Sequence, residues 1–444
     1  MKKGSFLLKK AGIWLSNSSN RGRYRYTLII ILAVMWVLVY LQRTNIGVLL
    51  VDQRFLEEMG LVGQAAKQGM LMTAFLLVYS LSNMLSVPVS NRLGPRRALF
   101  LGVIVGALSM LAGGWVACFG ALILVRVILG LAHGIYHPNI SLLVKNWIPA
   151  QERGTANAVV GVGGCLALIV ALPLYSWINS GLGWEYSFII PGLLGLLAII
   201  PLGLHWVSDQ PTDNPYISAQ EAQYIVSHNQ DTNIKGDESA VDTVGVRELL
   251  KSTSFWLMAV IYTAFLCSWW GLMTWMPQYL VQARNFDISG MAGYISLAYA
   301  AAVVGILTGG RLADRVVPRS VIGIVALCGV ALATLGIALA PSPLGAVVFM
   351  ALAVGINEFV YPALWAIMQT SLPAHLVVTG SGIASGVGNL LSAVSPFIMG
   401  WLIQVSGSYT GGLLFLVSIA ALGAVCCIFL YRLERQEASV VTHG

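Results

Sequence analysis

Long apolar runs, separated by short polar turns, make up most of the chain. A helix of about 20 apolar residues crosses the hydrocarbon core of a bilayer, and the runs have roughly this length. We therefore predict twelve membrane spans. Their predicted limits are residues 25–49, 68–89, 98–117, 119–143, 155–178 and 184–206 for spans one to six, and residues 253–277, 290–312, 320–340, 342–368, 377–403 and 410–431 for spans seven to twelve.

One long hydrophilic stretch divides the chain into two halves. Similar basic turns, NRLGPRR at 91–97 and DRVVPRS at 314–320, follow the second span of each half. This repetition predicts an all-α membrane protein with 12 transmembrane helices in two pseudo-symmetric six-helix bundles. The predicted domains are a cytoplasmic tail at 1–24, a first bundle at 25–206, a cytoplasmic central loop at 207–252, a second bundle at 253–432 and a cytoplasmic tail at 433–444.

The central loop carries one signal for the start of a helix. Ser218 is followed by Glu221 with the spacing of a capping box, in which each side chain can bond a backbone amide of the other. We predict a short helix from here through Tyr224.

The composition fits a membrane protein, because 57% of the 444 residues are hydrophobic and 10% are charged. Soluble proteins carry roughly a quarter of charged residues. The net charge of +7 comes from the first 24 residues and from the turns after spans two, four and eight, and basic turns favour the cytoplasmic side. We expect a multi-pass protein of a bacterial inner membrane with both termini in the cytoplasm. It should be a monomer in the lipid bilayer, without a nucleic acid partner.

The sequence contains no motif of catalysis or metal binding. The six cysteines show no CxxC spacing, which indicates neither a metal site nor a disulfide framework. A P-loop, HExxH and GxSxG are also absent. We expect no enzymatic activity, no cofactor and no metal, so that ion or solute gradients must supply the energy.

Span four carries an unusual set of polar residues. Arg126, His133 and His137 share one face with two glycines, at steps of three and four residues. Pro138 should bend the helix where the histidines lie. Polar groups are costly in hydrocarbon, so this face must turn toward protein or water. Arg126 is either a substrate contact or a gate, and the histidines bind an anion, pass a proton or only join helices.

Spans one and ten supply the other ionisable candidates. Arg43 lies deep in span one with Tyr40 on its face, and a guanidinium fork suits a carboxylate or a phosphate. Glu358 is the acidic residue in the interior of a predicted span, between Asn357 and Tyr361. It is a candidate for proton coupling, or for an ion pair with Arg43, which is the structural alternative for both residues.

Two further stripes are uncharged. Trp270, Thr274 and Gln278 recur at helical spacing on span seven, and Ser381, Ser385, Asn389 and Ser392 do so on span eleven. Such stripes either line a cavity or hold helices together by hydrogen bonds.

The chain resembles the major facilitator superfamily along its whole length. The loop motif GxxxDRxGxRR of that family is matched in part by Arg92, Gly94, Arg96 and Arg97, and its second copy by Gly310, Asp314 and Arg315. Val87 and Asn91 stand where the first copy usually has a glycine and an aspartate. The resemblance implies gating roles for Arg92, Arg96, Asp314 and Arg315.

Within that family, the chain resembles the anion:cation symporter branch, which transports hexonates, hexuronates, glucarate and sialic acid. The matching segments are YLQRTNIGV at 40–48, RVILGLAHGIYHPN at 126–139, NPYISAQEAQYI at 214–225 and TWMPQYL at 274–280. Gln42 and His133 depart from the branch, which usually has acidic residues at both positions. The resemblance further implies that spans one, four, seven and ten line a central cavity.

These observations predict a secondary active transporter of a small organic anion, a sugar acid or another carboxylate, that works by alternating access and is coupled to protons. The alternatives are an organophosphate/phosphate exchanger and a transporter-like ligand sensor. Glu358 and His133 are the predicted proton-coupling residues. The predicted substrate contacts are Tyr40, Arg43, Arg126, His133, His137, Trp270, Gln278, Asn357, Tyr361, Ser385 and Asn389.

Overall fold

Nearly all of the chain's regular structure is helical. The computed structural model describes residues 24–149, 152–230, 247, 249–313, 315–316, 318–371 and 377–443. Within these residues, eleven helices are long and apolar enough to cross a membrane, and the shorter apolar segment Tyr186–Leu202 occupies the predicted place of span six. The predicted all-α membrane architecture is confirmed.

The spans begin and end close to their predicted limits. The helices of the first half are Tyr24–Leu49, Ala65–Leu93, Pro95–Gly113, Phe119–Gly134 with Tyr136–Trp147, Arg153–Gly181, and Tyr186–Leu197 with Ile199–Gly203. Those of the second half are Thr253–Gln278 with the π-helical turn Tyr279–Ala283, Ile288–Ala313, Ser320–Leu339, Pro343–Asn357 with Val360–Ser371, Val377–Ser392 with Ser395–Ser406, and Tyr409–His443.

Spans four and ten, which are the fourth spans of the two halves, break at corresponding places. Span four stops at Gly134, shortly before Pro138, and span ten stops at Asn357, shortly before Pro362. A proline lacks an N–H and its ring clashes with the carbonyl four residues earlier, which favours a kink or a break in the preceding turn. The bend predicted at the histidines of span four is confirmed, and Glu358 lies at the equivalent break.

The central-loop helix is bonded to the first residues of span one. The helix runs over Ala219–Gln230, beyond its predicted end at Tyr224, and the Glu221 amide donates to Ser218 Oγ as predicted. The Glu221 carboxylate accepts from the backbone amides of Tyr24 (3.0 Å) and Arg25 (3.2 Å) instead of closing the capping box. A negative charge at the start of a helix is stabilising, because the first amides of the helix point toward it.

Arg25 extends this connection to a third segment. Its guanidinium bonds Glu221 (3.2 Å) and Glu152 (3.1 Å), and both Arg25 and Glu221 are buried. Three segments that are far apart in sequence thus meet in one buried charged cluster, Arg25–Glu152–Glu221.

The two halves contact each other at the opposite end, where span one finishes. Span two meets span eleven through the Ala66 amide, which donates to Gln404 Oε1 (3.0 Å), and through the Phe397 amide, which donates to Thr73 Oγ1 (3.2 Å). Gly69 and Gly400 allow this approach, because a Cβ on either would collide with a backbone carbonyl of the facing span. The halves are therefore closely packed at this end.

Candidate functional site

Arg43 lies inside an aromatic cage between spans one and two. Its side chain is 1% exposed, and the guanidinium carbon lies 4.2 Å from the ring centre of Tyr40, 5.3 Å from Tyr79, 5.5 Å from Trp36 and 5.8 Å from Phe75. Aromatic faces stabilise a cation by about 0.5–2 kcal/mol each, which offsets part of the cost of burial. Nε and Nη2 have no hydrogen-bond partner within the described part of the chain. These donors can take a carboxylate.

Arg126 also contacts the Phe75 ring, whose centre is 4.9 Å from its guanidinium carbon. The side chain is fully buried; Nε donates to the Leu71 carbonyl (3.2 Å) and Nη2 to the Met72 sulfur (3.6 Å). Nη1 has no partner among the described residues. Two nitrogens of Arg126 are thus bonded to span two, and Nη1 remains available to donate to an anion.

Gln42 and His133, the two departures from the resembling branch, contact each other. Gln42 Oε1 lies 2.9 Å from His133 Nε2, and Gln42 Nε2 donates to the Pro191 carbonyl (3.2 Å). Because the amide oxygen faces the histidine, this network assigns the hydrogen to Nε2 and leaves Nδ1 as an acceptor. Nδ1 is buried and has no partner in the described residues. A neutral pair therefore occupies the positions where two acids were expected.

Glu358 approaches the first half from the break in span ten. Its side chain is 8% exposed, and its Cβ packs against Gly305 of span eight. Tyr40 of span one and Cys165 of span five are groups of the first half that lie near its carboxyl. Glu358 forms no ion pair or hydrogen bond within the described residues, so the alternative of a structural pair with Arg43 is not what the structure contains.

The neighbours of Glu358 in span ten have different surroundings. Asn357 is buried and donates to the Phe265 carbonyl (3.3 Å), with its Oδ1 unpaired among the described residues. Tyr361 is 38% exposed, and its ring contacts those of Phe265 and Trp365 at 6.0 and 5.9 Å between centres. Span ten thus offers an acid, an amide oxygen and an accessible phenol in sequence.

Some polar side chains of the span-eleven stripe form hydrogen bonds within their own helix. The side-chain amide of Asn389 donates to the Ser385 carbonyl (2.9 Å), and the Tyr262 ring packs against Gly388 of the same span. Tyr262 also lies 5.9 Å from Trp365 between ring centres, which connects this stripe to span ten.

The stripe of span seven is not turned toward Arg43. Gln278 Nε2 donates to Gln68 Oε1 (3.0 Å) and so joins the halves at their closed end. The Thr274 hydroxyl bonds the Trp270 carbonyl within its own helix, and Trp270 is buried. These contacts favour closure and packing over direct binding for this stripe.

The predicted gating residues show contacts within one half only. The Arg96 amide bonds Asp209 Oδ1 and its Nε bonds the Leu202 carbonyl, both at 2.7 Å and both within the first half. Arg92 and Arg315 are exposed. Asp314 and the side chains of His137 and Ser381 lie outside the described residues.

Several aromatic residues of the site were not among the predicted contacts. Phe75 and Tyr79 of span two and Trp36 of span one surround Arg43, and Tyr262 of span seven lies beside Trp365 of span ten. Aromatic residues in apolar spans are usual, so the sequence gives no signal that distinguishes these rings from the rest of the core.

Arg43, Arg126 and His133 are buried in the first half of the chain, and Glu358 is buried in the second. The family model of the Major Facilitator Superfamily matches residues 32–396. The chain belongs to this superfamily. It is accordingly a multi-pass membrane transporter and not an enzyme, as the sequence predicted.

Curated relatives cover almost the whole chain. A protein described as a probable sulfoacetate transporter of Cupriavidus necator is 26% identical over 96% of this chain and 99% of its own length. A probable galactarate/D-glucarate transporter of Escherichia coli is 25% identical, covering 92% and 94%. The hexuronate transporter of Bacillus subtilis is 23% identical, covering 91% and 94%. The predicted resemblance to this branch is confirmed.

Solved structures of transporters share the fold. A bacterial homologue of the human lysosomal transporter Spinster, inward-facing and unoccupied, has a TM-score of 0.74 at 18% identity, over 93% of this chain and 97% of that chain. The inward-open xylose transporter of E. coli has a TM-score of 0.69 at 16% identity, over 92% and 96%. The predicted fold of two six-helix bundles is confirmed.

Proposed function

We propose that this transporter carries a small organic anion, a sugar acid or another short carboxylate, by alternating access, and that protons are the coupling ion. The observation that carries the proposal is Arg43, a buried guanidinium with two unpaired N–H donor positions and no acidic partner within the described residues. An anion is the group that would satisfy both its charge and its donors.

The site has a natural division of roles. Arg43, with Tyr40 beside it, holds the anion, and Glu358 on the facing half takes and releases the proton. His133 acts as a second proton site through its unpaired Nδ1. Asn357, Tyr361, Ser385 and Asn389 contact the part of the substrate that faces the second half, and Arg92, Arg96, Asp314 and Arg315 act at the gate.

The topology is part of the proposal. The basic turns after spans two, four and eight support a topology with both termini, the central loop and the tail at 433–444 in the cytoplasm. We propose that the protein works as a monomer in a bacterial inner membrane. The closed end of the site then faces the periplasm. The 25–206 and 253–432 bundles are the two units that rock against each other.

The relatives reported above are transporters of sugar acids and of a sulfonated acid, which does not favour the phosphate exchanger or the ligand sensor. Their printed substrates support the class of substrate proposed here. The site residues support it independently, because an anion-binding arginine is needed whichever acid is carried.

The proposal is tested by uptake of labelled D-glucarate, D-gluconate and sulfoacetate into proteoliposomes that contain the purified full-length protein. We expect accumulation of at least one acid and loss of its uptake by at least about 30-fold in Arg43→Gln, since truncating one partner of a buried charge pair costs about 2–5 kcal/mol. Arg43→Lys keeps the charge but not the fork, so it should retain a fraction of the uptake.

The matched control is Arg435→Gln, the same change at an exposed arginine near the end of the last helix. It should transport as the unaltered protein does. Uptake of sugar phosphates against inorganic phosphate, with no uptake of the three acids, would replace this proposal with the exchanger.

A further inference from the structure

The site has a second buried arginine that carboxylate binding to Arg43 leaves unexplained. Arg126 contacts a carbonyl oxygen, a thioether sulfur and an aromatic face, and none of these neutralises a full positive charge. Its Nη1 is buried without a partner among the described residues. A guanidinium in a membrane interior needs a counter-charge or water, and neither its own span nor span two provides an anion.

Arg43 and Arg126 share one neighbour, which fixes how far apart they can be. The Phe75 ring centre lies 5.8 Å from the Arg43 guanidinium carbon and 4.9 Å from that of Arg126. Two like charges so placed repel each other. The helices of the first six spans contain no aspartate or glutamate that would offset them.

Gln42 and His133 stand where the resembling branch usually has acidic residues, so the excess of positive charge in the first half is not offset at these positions. These two side chains satisfy each other at 2.9 Å, and the second amide hydrogen bond of Gln42 goes to the Pro191 carbonyl. They therefore supply no negative charge to either arginine. The first half presents two positive charges to its ligand and no negative one.

We propose that this site takes an anion with two negatively charged groups, one held by Arg43 and the other by Arg126, both of which lie near the Phe75 ring. The inference rests on the proposed function and narrows it from organic anions in general to short dianions. A single carboxylate pairs with one guanidinium and leaves the second buried charge uncompensated. A second anionic group on a short chain compensates both, and the donors left unpaired on each arginine are those it would use.

Two pairs of probes differ by the replacement of one carboxylate by a hydroxymethyl group. Sulfoacetate is compared with 2-hydroxyethanesulfonate, and D-glucarate with D-gluconate, by isothermal titration on the full-length protein in nanodiscs. We expect the dianion to bind at least about tenfold more tightly than its monoanionic partner in one pair or both, the usual size of one charge-assisted contact.

The variants separate binding from structure. Arg126→Gln should reduce the dianion affinity to that of its partner, and Arg126→Lys should restore part of the difference because the charge returns. Arg435→Gln should leave the difference as it is. Thermal unfolding of each variant shows whether it is folded, and Arg126→Lys carries the test if Arg126→Gln is not.

Equal affinity within both pairs would overturn the inference, as would an Arg126→Gln variant that weakens both members of a pair by the same factor. In those cases the anion transporter would still stand. Failure of all four acids to bind and to be transported would instead remove the proposed function and this inference with it.

Discussion

Spans four and ten have the same backbone plan and opposite chemistry. Both break shortly before a proline, at Gly134 and at Asn357, and both place an ionisable residue at the break, His133 and Glu358. The break in span four lies beside two arginines and a neutral glutamine, whereas the break in span ten holds an acid whose side chain has no partner among the described residues. The two halves thus share a helix break and differ in the charge found there.

This difference shows how two halves with similar backbones can provide sites for two ions of opposite charge. The half with Arg43 and Arg126 suits an anionic substrate, and the half with Glu358 suits a cation such as a proton. In the proposed function, the substrate site lies in the first half and the proton site in the second, so that a movement of either half would change the distance between them. Four predictions test this division, from the largest expected effect to the smallest.

Glu358→Gln should abolish accumulation driven by a pH gradient, reducing it at least about tenfold, because an amide cannot titrate in the position of a carboxyl. Exchange of labelled for unlabelled substrate at equal pH should persist, since it needs no net proton movement. The measurement is uptake and counterflow in proteoliposomes, and Glu57→Gln, at an exposed glutamate, is the control. An undiminished response to the pH gradient would end the assignment of the proton to the second half.

Gly400→Leu and Gly69→Leu should open the closed end to a similar extent, because each places a side chain against a backbone carbonyl of the facing half. Overpacking of this kind costs about 1–3 kcal/mol, so we expect the closed population to fall about tenfold relative to the open one. Spin labels at Val62 and Val405, with Cys118 and Cys328 replaced, would report the distance across this end.

The control for these variants is Gly382→Leu in span eleven, where an added Cβ meets no atom within 4 Å. Unchanged label distances in both test variants would show that these glycines do not set the closed conformation.

His133→Gln should have a smaller effect than Glu358→Gln. It removes one titratable ring but can keep a hydrogen bond to Gln42, so we expect uptake to change about fivefold or less, the size of one neutral hydrogen bond. The pH profile of uptake is the decisive measurement. Loss of the entire pH response in this variant would reverse the roles of the two breaks.

Pro138→Ala and Pro362→Ala should change the turnover rate least, and by a similar factor. Each restores an N–H and removes the ring that forces the break, but the surrounding spans still hold the bent path. We expect changes of about threefold or less, in line with roughly 0.7 kcal/mol. A much larger effect in one span than in the other would show that the two hinges are not equivalent.

The architecture and the charged residues of the site could be predicted from sequence because a membrane makes polar residues conspicuous. Arg43, Arg126, His133 and Glu358 stand out in apolar runs, and Pro138 and Pro362 mark where their helices break. The long apolar runs likewise fixed the order and approximate ends of the spans.

Partners could not be predicted, because they depend on how spans distant in sequence rotate against each other. The pairing of Gln42 with His133 and the aromatic cage of Arg43 were not foreseen, since each needs the packing of spans one, two and four. Gln278 follows a stripe that suggests a cavity, yet it bonds Gln68 across the halves. Glu221 was expected to cap its own helix and instead caps span one.

The hydrogen bonds from the first amides of span one to Glu221 have a mechanical consequence. If span one tilted alone, it would lose the hydrogen bonds from two backbone amides and from the Arg25 guanidinium to Glu221. We therefore expect span one to move together with the central-loop helix. Arg43 lies on the same helix, near its other end. In the proposed function, an anion that binds Arg43 would therefore act on a helix whose other end is bonded to Glu152 and Glu221.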